Sequence, residues 1–166
     1  MAKKVVVLSL WLVLVPVQSN LVAADPRVKP LRGINTIFVQ VDEMNPEASA
    51  DGLSVDQVQQ DAELRLRQSG LRVGTPSSAI LYIRVQLLKS AAMSIYVYDI
   101  TIQLDQEVSL VRDRSIGDFR ATTWETGTTG IAPASKMKER VRQDLADFID
   151  RFINAYLEAN PKDAQK

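Results

Sequence analysis

The sequence predicts an α+β fold, a two-layer sandwich in which a mainly antiparallel sheet carries two helices on one face. Residues 93 to 111 alternate apolar and polar side chains with a period of two, which is typical of a strand covered on one side only. Two other segments carry apolar residues at helical spacing. Together with closely spaced strands, these segments give the order β-α-β-β-β-β-α.

The amino terminus has the features of a secretory signal. Lys3 and Lys4 precede an apolar run over residues 5 to 17, and small residues end at Ala24. This order predicts a cleavable signal peptide over residues 1–24 and a periplasmic or secreted mature protein. The apolar run is shorter than the ~20 residues of a membrane span, so we expect no span in the mature chain. An uncleaved anchor is the alternative.

The composition narrows the possible functions. The chain has 20 basic and 20 acidic residues, and without residues 1–24 the counts are 18 and 20, a balance that does not favour a nucleic-acid partner. It has no His and no Cys, which excludes serine triads, cysteine nucleophiles and imidazole-bound zinc. Acid/base chemistry by carboxylates, Mg²⁺ or Ca²⁺ on oxygen ligands and Ser or Lys nucleophiles stay possible. Because these options are few for an enzyme, we expect no cofactor, no metal and no catalytic residues. The length suits one domain over residues 25–160, followed by a disordered tail over residues 161–166.

Gly and Pro residues divide the first half of the mature chain into short segments. Ser54 with Gln57 forms a capping box that predicts a helix start, and Gly70 predicts its end. The predicted elements are an extended leader (25–32), a strand (33–41), a polar loop (42–52), the helix (54–70) and a short strand (71–73). The helix between the first two strands allows them to run parallel.

The second half predicts a meander of strands and one long helix. Alternating side chains indicate strands over residues 79–88, 93–111 and 119–126, joined by turns. The helix runs from Ser135 to Ala159 and stops at Asn160-Pro161. Its apolar stripe consists of Met137, Val141, Leu145, Phe148, Phe152 and Tyr156.

Three further apolar residues widen that stripe. Ile149, Ile153 and Leu157 extend it beyond what one packing face requires. Either the helix lies deep against the sheet, or these residues form an interface with a partner or a second copy. Both interpretations are kept here.

A possible ligand site lies between the last strand and the last helix. Cations crowd the start of the helix, where the macrodipole favours acids instead, and a Gly-Thr segment interpreted as a flexible loop precedes it. Such a segment could hold an anion, for example a lipid phosphate or a glycan carboxylate; the alternative is a turn followed by a solvated basic helix start. The candidate residues are Trp124, Thr126, Gly127, Thr128, Thr129, Gly130, Ser135, Lys136, Lys138 and Arg140.

Two further patterns suggest an enzyme, but the sequence supports them less than the ligand site. Ser135 and Lys138 match the S-x-x-K pattern of penicillin-recognising enzymes, but the S-D-N and K-T-G elements are absent, and we interpret Ser135 as a helix N-cap. Asp99, Asp105 and Glu107 could suggest a carboxylate pair of a hydrolase. They also fit an exposed strand face.

Two segments carry a resemblance. Residues 124–130, Trp-Glu-Thr-Gly-Thr-Thr-Gly, and residues 152–157, Phe-Ile-Asn-Ala-Tyr-Leu, together resemble a group of exported bacterial proteins of unknown function. In element order the chain is also similar to the amino-terminal domain of TolB and related envelope-assembly proteins. The resemblance implies no site residues. The export signal, the lack of catalytic residue types and the wide apolar stripe of the last helix instead lead us to expect a non-enzymatic accessory or binding protein of the envelope. We expect an envelope partner or self-association, with small-ligand or anion binding as the alternative and a carboxylate hydrolase as the third hypothesis.

Overall fold

The structure, a computed structural model, describes residues 26–74, 77–90 and 92–161. The predicted signal peptide and nearly all of the predicted tail lie outside these residues. Within the described part of the chain, no helix has both the length and the hydropathy needed to cross a bilayer.

Five strands form one mixed sheet in the order β2-β1-β3-β4-β5. β1 runs parallel to both β2 and β3, while the longer β3–β4 and β4–β5 ladders are antiparallel. The predicted α+β class is confirmed, and so is the parallel β-α-β step. The strands are β1 (Thr36–Val41), β2 (Arg72–Val73), β3 (Ala79–Ser90), β4 (Ile95–Ser109) and β5 (Asp118–Pro133).

The described residues also form three α-helices: α1 (Pro46–Ala50), α2 (Val55–Gln68) and α3 (Met137–Ala159). Short 3-10 turns lie at Pro26–Leu31, Arg114–Ile116 and Ala134–Lys136. The predicted start of α2 is confirmed, because Ser54 Oγ accepts a hydrogen bond from the backbone N–H of Gln57 (3.3 Å).

Several predictions for the first half of the chain are wrong. The segment over residues 25–32 was expected to be extended, but Pro26–Leu31 form a 3-10 helix. Residues 42–52 were expected to form only a loop, but they contain α1, whose first turn is capped by the side chain of Asn45 accepting from the N–H of Ala48 (3.2 Å). β1 begins at Thr36 rather than at Gly33, because Gly33 has a φ of +79° and its N–H donates to the side chain of Asn160 (2.7 Å).

One face of the sheet holds the core and the other is open. On β4 the alternation is as predicted, with Tyr96, Tyr98, Ile100, Ile102 and Leu104 buried. Helices α2 and α3 cover these residues and join them in one hydrophobic cluster. The sheet therefore separates a dry face under the helices from an uncovered face, as period two requires.

The last helix lies deep against the sheet. Ile149 and Ile153 are only 2% and 9% exposed, so the prediction that they form a partner interface is wrong. Both side chains face α2 and the sheet, because a helix that packs against a sheet and a neighbouring helix buries more than one narrow stripe. Leu157, the third predicted interface residue, is 39% exposed.

Charging Ile149 is expected to unfold the protein rather than to disturb a surface. Ile149→Asp should lower the free energy of unfolding by at least about 3 kcal/mol, because it buries a carboxylate without a partner. Urea unfolding measures the difference. Leu157→Asp is the matched control on the same helix and should stay within about 0.5 kcal/mol of the wild type. Equal, small effects would contradict the packing described here.

Candidate functional site

The segment interpreted as a flexible loop is part of an edge strand. Residues 126 to 130 lie inside β5, paired with residues 98 to 102 of β4. The loop prediction is therefore wrong. Gly residues inside a strand often mark a close approach of other groups, and both Gly127 and Gly130 fit that description here.

Neither glycine leaves room for a side chain. A Cβ on Gly127 would collide with the backbone carbonyl of Ile100, and a Cβ on Gly130 would collide with the ring of Tyr98. Gly130 is the direct cross-strand neighbour of Tyr98. The ring of Tyr98 therefore passes over Gly130 on its way to α3.

The ring of Tyr98 ends in a buried polar group. Its hydroxyl donates to Asp144 Oδ2 (2.6 Å), and Arg140 Nε donates to the same hydroxyl (3.2 Å). Arg140 Nε also lies 3.2 Å from Asp144 Oδ1. Asp144 is only 7% exposed and is the one buried charged residue among those described. This carboxylate is compensated on both oxygens, as a buried charge requires.

A groove follows β5 along α3. Its first part, about 480 Å³, lies between residues 128–133 of β5 and the residues around Arg140 and Asp144. Its second part, about 720 Å³, lies between residues 122–126 and the carboxyl-terminal half of α3. Arg151 lines both parts, which adjoin at this residue; we call them together the strand–helix groove. At about 3.3 Å per residue, β5 spans roughly 35 Å along it.

The predicted ligand residues divide among several surfaces. Thr128, Thr129, Gly130, Lys136 and Arg140 line the first part of the strand–helix groove. Trp124 and Thr126 line its second part. Ser135 and Lys138 instead line a separate groove between α2 and α3, and Gly127 lies at a shallow hollow on the open face.

The start of α3 also differs from the prediction. Ser135 is not the N-cap: it lies in the 3-10 turn Ala134–Lys136, and α3 starts after Lys136 without a side-chain cap. The reason is that β5 continues to Pro133 and the N–H of Ala134 still donates to the carbonyl of Ser94 (2.9 Å). The helix therefore begins later than its sequence signal suggests.

The cations that crowd this helix start face different partners. Lys136 contacts Glu139 (3.2 Å) and Arg142 contacts Asp61 of α2 (2.6 Å). The side chain of Lys138 ends close to Gly52. Lys136 and Arg140 line the strand–helix groove, whereas Lys138 and Arg142 line the groove between α2 and α3, so the four cations do not converge on one anion site.

Trp124 packs at the margin of the core, on the face of the sheet that the helices cover. Its ring meets that of Phe152 edge-on, with centroids 5.2 Å apart, and is partly buried against the core.

The acidic residues on the open face of the sheet form hydrogen bonds with threonines of the neighbouring strand. Asp99 Oδ2 accepts from Thr129 (2.8 Å) and Asp105 Oδ1 from Thr122 (2.7 Å) on the open face of the sheet.

Three groove residues were not identified from the sequence. Asp144, Asp147 and Arg151 line the strand–helix groove, and the guanidinium of Arg151 lies 4.9 Å from the centre of the Phe148 ring. A signal for Asp144 was present. It lies three residues after Val141 and four before Phe148, so a carboxylate interrupts the apolar stripe at a position that faces the sheet.

Among the residues that the structure describes, no strand pairs with the outer edge of β5. The N–H of Ala134 points to β4, and backbone groups along a strand alternate in direction. Pro133, which has no N–H, therefore points away from β4, as do alternate residues before it. A proline is tolerated at such a position because no ladder bond is lost. The other residues whose N–H and C=O groups face outward are Glu125, Gly127, Thr129 and Ile131.

Removing the Tyr98 hydroxyl should expose its contribution to stability and to pH dependence. Burial, and then the hydrogen bond to Asp144, raise the pKa of Tyr98 above its ordinary value of 10.0. This stabilisation is present below the unfolded-state pKa and is lost as the pH rises above about 10.

Tyr98→Phe should therefore lower the free energy of unfolding by about 2 kcal/mol at pH 8, because Asp144 loses a donor. Urea unfolding between pH 8 and 11 should show a shallower decline for the variant. The free energy of unfolding of the variant should still fall over this pH range, because Tyr96 also loses stabilising interactions there. The hydrogen bond to Asp51, and then burial, raise the pKa of Tyr96. A profile parallel to that of the wild type would contradict the assigned role.

Adding a methyl group to Gly130 should displace the Tyr98 ring. We expect Gly130→Ala to lower the free energy of unfolding by about 1–3 kcal/mol, the usual effect of overpacking. Thermal unfolding measures it. Gly74→Ala is the control, because a Cβ there meets no atom within 4 Å. If both variants unfold alike, the close approach of Tyr98 to β5 is not as described.

Comparison with known proteins gives similarity in structure only. No family model matches the chain, and no curated protein matches it. A minor lipoprotein from Acinetobacter baumannii matches 76% of this chain and 94% of its own, with 13% identity and a TM-score of 0.36. PelC from Paraburkholderia phytofirmans, solved as a dodecamer, matches 78% of this chain and 89% of its own, with 18% identity and a TM-score of 0.41. At these values the chain is similar to both in general outline.

Proposed function

We propose that the protein is a non-enzymatic accessory or binding protein of the bacterial envelope that acts through protein contacts. The contact is made at the free edge of β5, where an extended segment of a partner adds to the sheet as a further strand. Main-chain hydrogen bonds then supply affinity, and the strand–helix groove receives alternate side chains of the partner.

The observation that carries this proposal is the unprotected second half of the β5 edge. Edge strands of monomeric proteins are usually short, charged or interrupted. The first half of β5 is charged at Asp118, Arg120 and Glu125, but its last eight residues, 126–133, carry no charge. Ile131 is 67% exposed at this edge. An uncharged edge segment of eight residues with an exposed Ile is a template for pairing.

The predicted signal peptide supports the placement in the envelope, and the lack of His and Cys supports a role without catalysis. The resemblance to exported proteins points the same way. Anion binding has less support. Lys136, Arg140 and Arg151 do line one pocket, but Asp144 and Asp147 line it as well, and Arg140 already contacts Asp144.

Photo-crosslinking in bacterial cells tests the proposed contact. A benzoylphenylalanine in place of Thr129, which is exposed at the β5 edge, should form a covalent protein adduct under illumination. The same group in place of Leu64 should not, although Leu64 is 55% exposed and lines the groove between α2 and α3. Denaturing gels and mass spectrometry measure the adducts. Adducts at neither position, or in equal yield at both, would contradict the proposal.

A further inference from the structure

The open part of the β5 edge has two defined ends. Toward its start, the ladder with β4 is irregular next to Leu104, opposite Thr123, which hydrogen-bonds Gln106 through its hydroxyl (2.6 Å). Toward its end, Pro133 lacks an N–H and the chain turns into the 3-10 segment that precedes α3. The regular edge therefore runs from residue 125 to residue 133, and its midpoint is Thr129.

This segment can pair with its own copy. When two identical strands pair antiparallel in one continuous sheet, residues opposite each other must lie on the same face. A two-fold axis at Thr129 meets this condition and uses the whole regular edge. An axis at Gly127 would bring the irregularity at Thr123 into the ladder. An axis at Ile131 would extend the ladder beyond Pro133.

The side chains match in this register. Thr129 lies opposite Thr129 of the second copy, and Ile131 lies opposite Gly127 of the second copy. The exposed Ile therefore covers a residue without a side chain, and threonine pairs are favourable across strands. The carbonyl of Pro133 accepts from Glu125 of the second copy, so the missing N–H of Pro133 leaves no donor unpaired there.

The strand–helix groove also suits a second β5. The side chains that would enter it from the second copy are small, namely those of Thr128, Gly130 and Ala132. The groove carries both signs of charge, with Arg151 and Asp147 close to its centre. A groove of mixed charge does not favour a partner that carries charges of one sign only.

We infer that the partner at the β5 edge is a second copy of this chain, paired antiparallel about Thr129 to give one continuous sheet of ten strands, five from each copy. This inference rests on the proposed function, because it identifies the occupant of the same edge. It adds a register, which fixes which residues meet at the axis.

A single cysteine tests the register. The chain has no Cys, so an introduced thiol reports on one position only. In a hydrogen-bonded pair at the axis the two Cα atoms are about 5.5 Å apart, within the range of a disulfide. Thr129→Cys, treated with oxidised glutathione at low protein concentration, should give a disulfide-linked dimer on a non-reducing gel.

Glu125→Cys is the matched control. It lies on the same exposed edge and points outward in the same way, but in this register the two thiols are about 26 Å apart along the strands. We expect at least a tenfold lower yield of dimer. Equal yields would mean collisional cross-linking and would overturn the inference, as would a dimer from Glu125→Cys alone.

Sedimentation of proteins without cysteine gives an independent measurement. The mature wild-type chain should sediment as a dimer, and Ile131→Lys, which places a charge on the edge, as a folded monomer. The variant should still unfold in one cooperative transition in urea, at a lower midpoint than the wild type because it lacks the stabilisation from dimerisation. Leu88→Lys lies on the same open face but two strands inward and should remain dimeric. A monomeric wild type would overturn the inference. If Thr129 then forms photo-adducts with a different protein, the proposed function stands while the self-pairing falls.

Discussion

The packing of α3 across β4 and β5 is the constraint on which the rest of the structure depends. A stripe of apolar residues fixes the side that α3 buries, but an apolar stripe alone allows a helix to slide along a sheet. The hydrogen bonds among Tyr98, Asp144 and Arg140 remove that freedom, because a buried carboxylate is costly in any position where its partners are missing. They define where along β4 the helix sits.

That position in turn shapes β5. Tyr98 reaches Asp144 by passing over its cross-strand neighbour, and only Gly at position 130 leaves space for the ring. The strand on the outside of the sheet therefore has a glycine because of a contact between its neighbour and a helix. The same geometry leaves the strand–helix groove beside it, since a glycine and the small residues around it do not fill the space between β5 and α3.

The sequence was sufficient for whatever depends on local periodicity. The period-two pattern of β4, the capping box at Ser54 and the long stripe of α3 predict elements that the structure contains. It was insufficient where a tertiary contact decides. Thr and Gly from residue 126 to 130 read as a loop, because the reason for each glycine is a group on β4 that is distant in sequence. The burial of Ile149 likewise depends on how α2 and α3 flank each other. The same holds for the site. Seven of the ten candidate residues line the strand–helix groove, but Asp144, which binds Tyr98 and Arg140 there, was not identified from the sequence.

The outer edge of β5 is available for pairing only over a limited segment. Natural proteins use charge, proline and irregular ladders against edge-to-edge pairing, and in β5 these features lie at the two ends of the segment from residue 125 to residue 133. The ladder irregularity at Thr123 and the carboxylate of Glu125 lie at its start, and Pro133, which has no N–H, lies at its end. Between them a partner strand meets none of these features. Their positions therefore restrict the length and register of the strand that can be added, which is the property expected of an edge that accepts one defined partner.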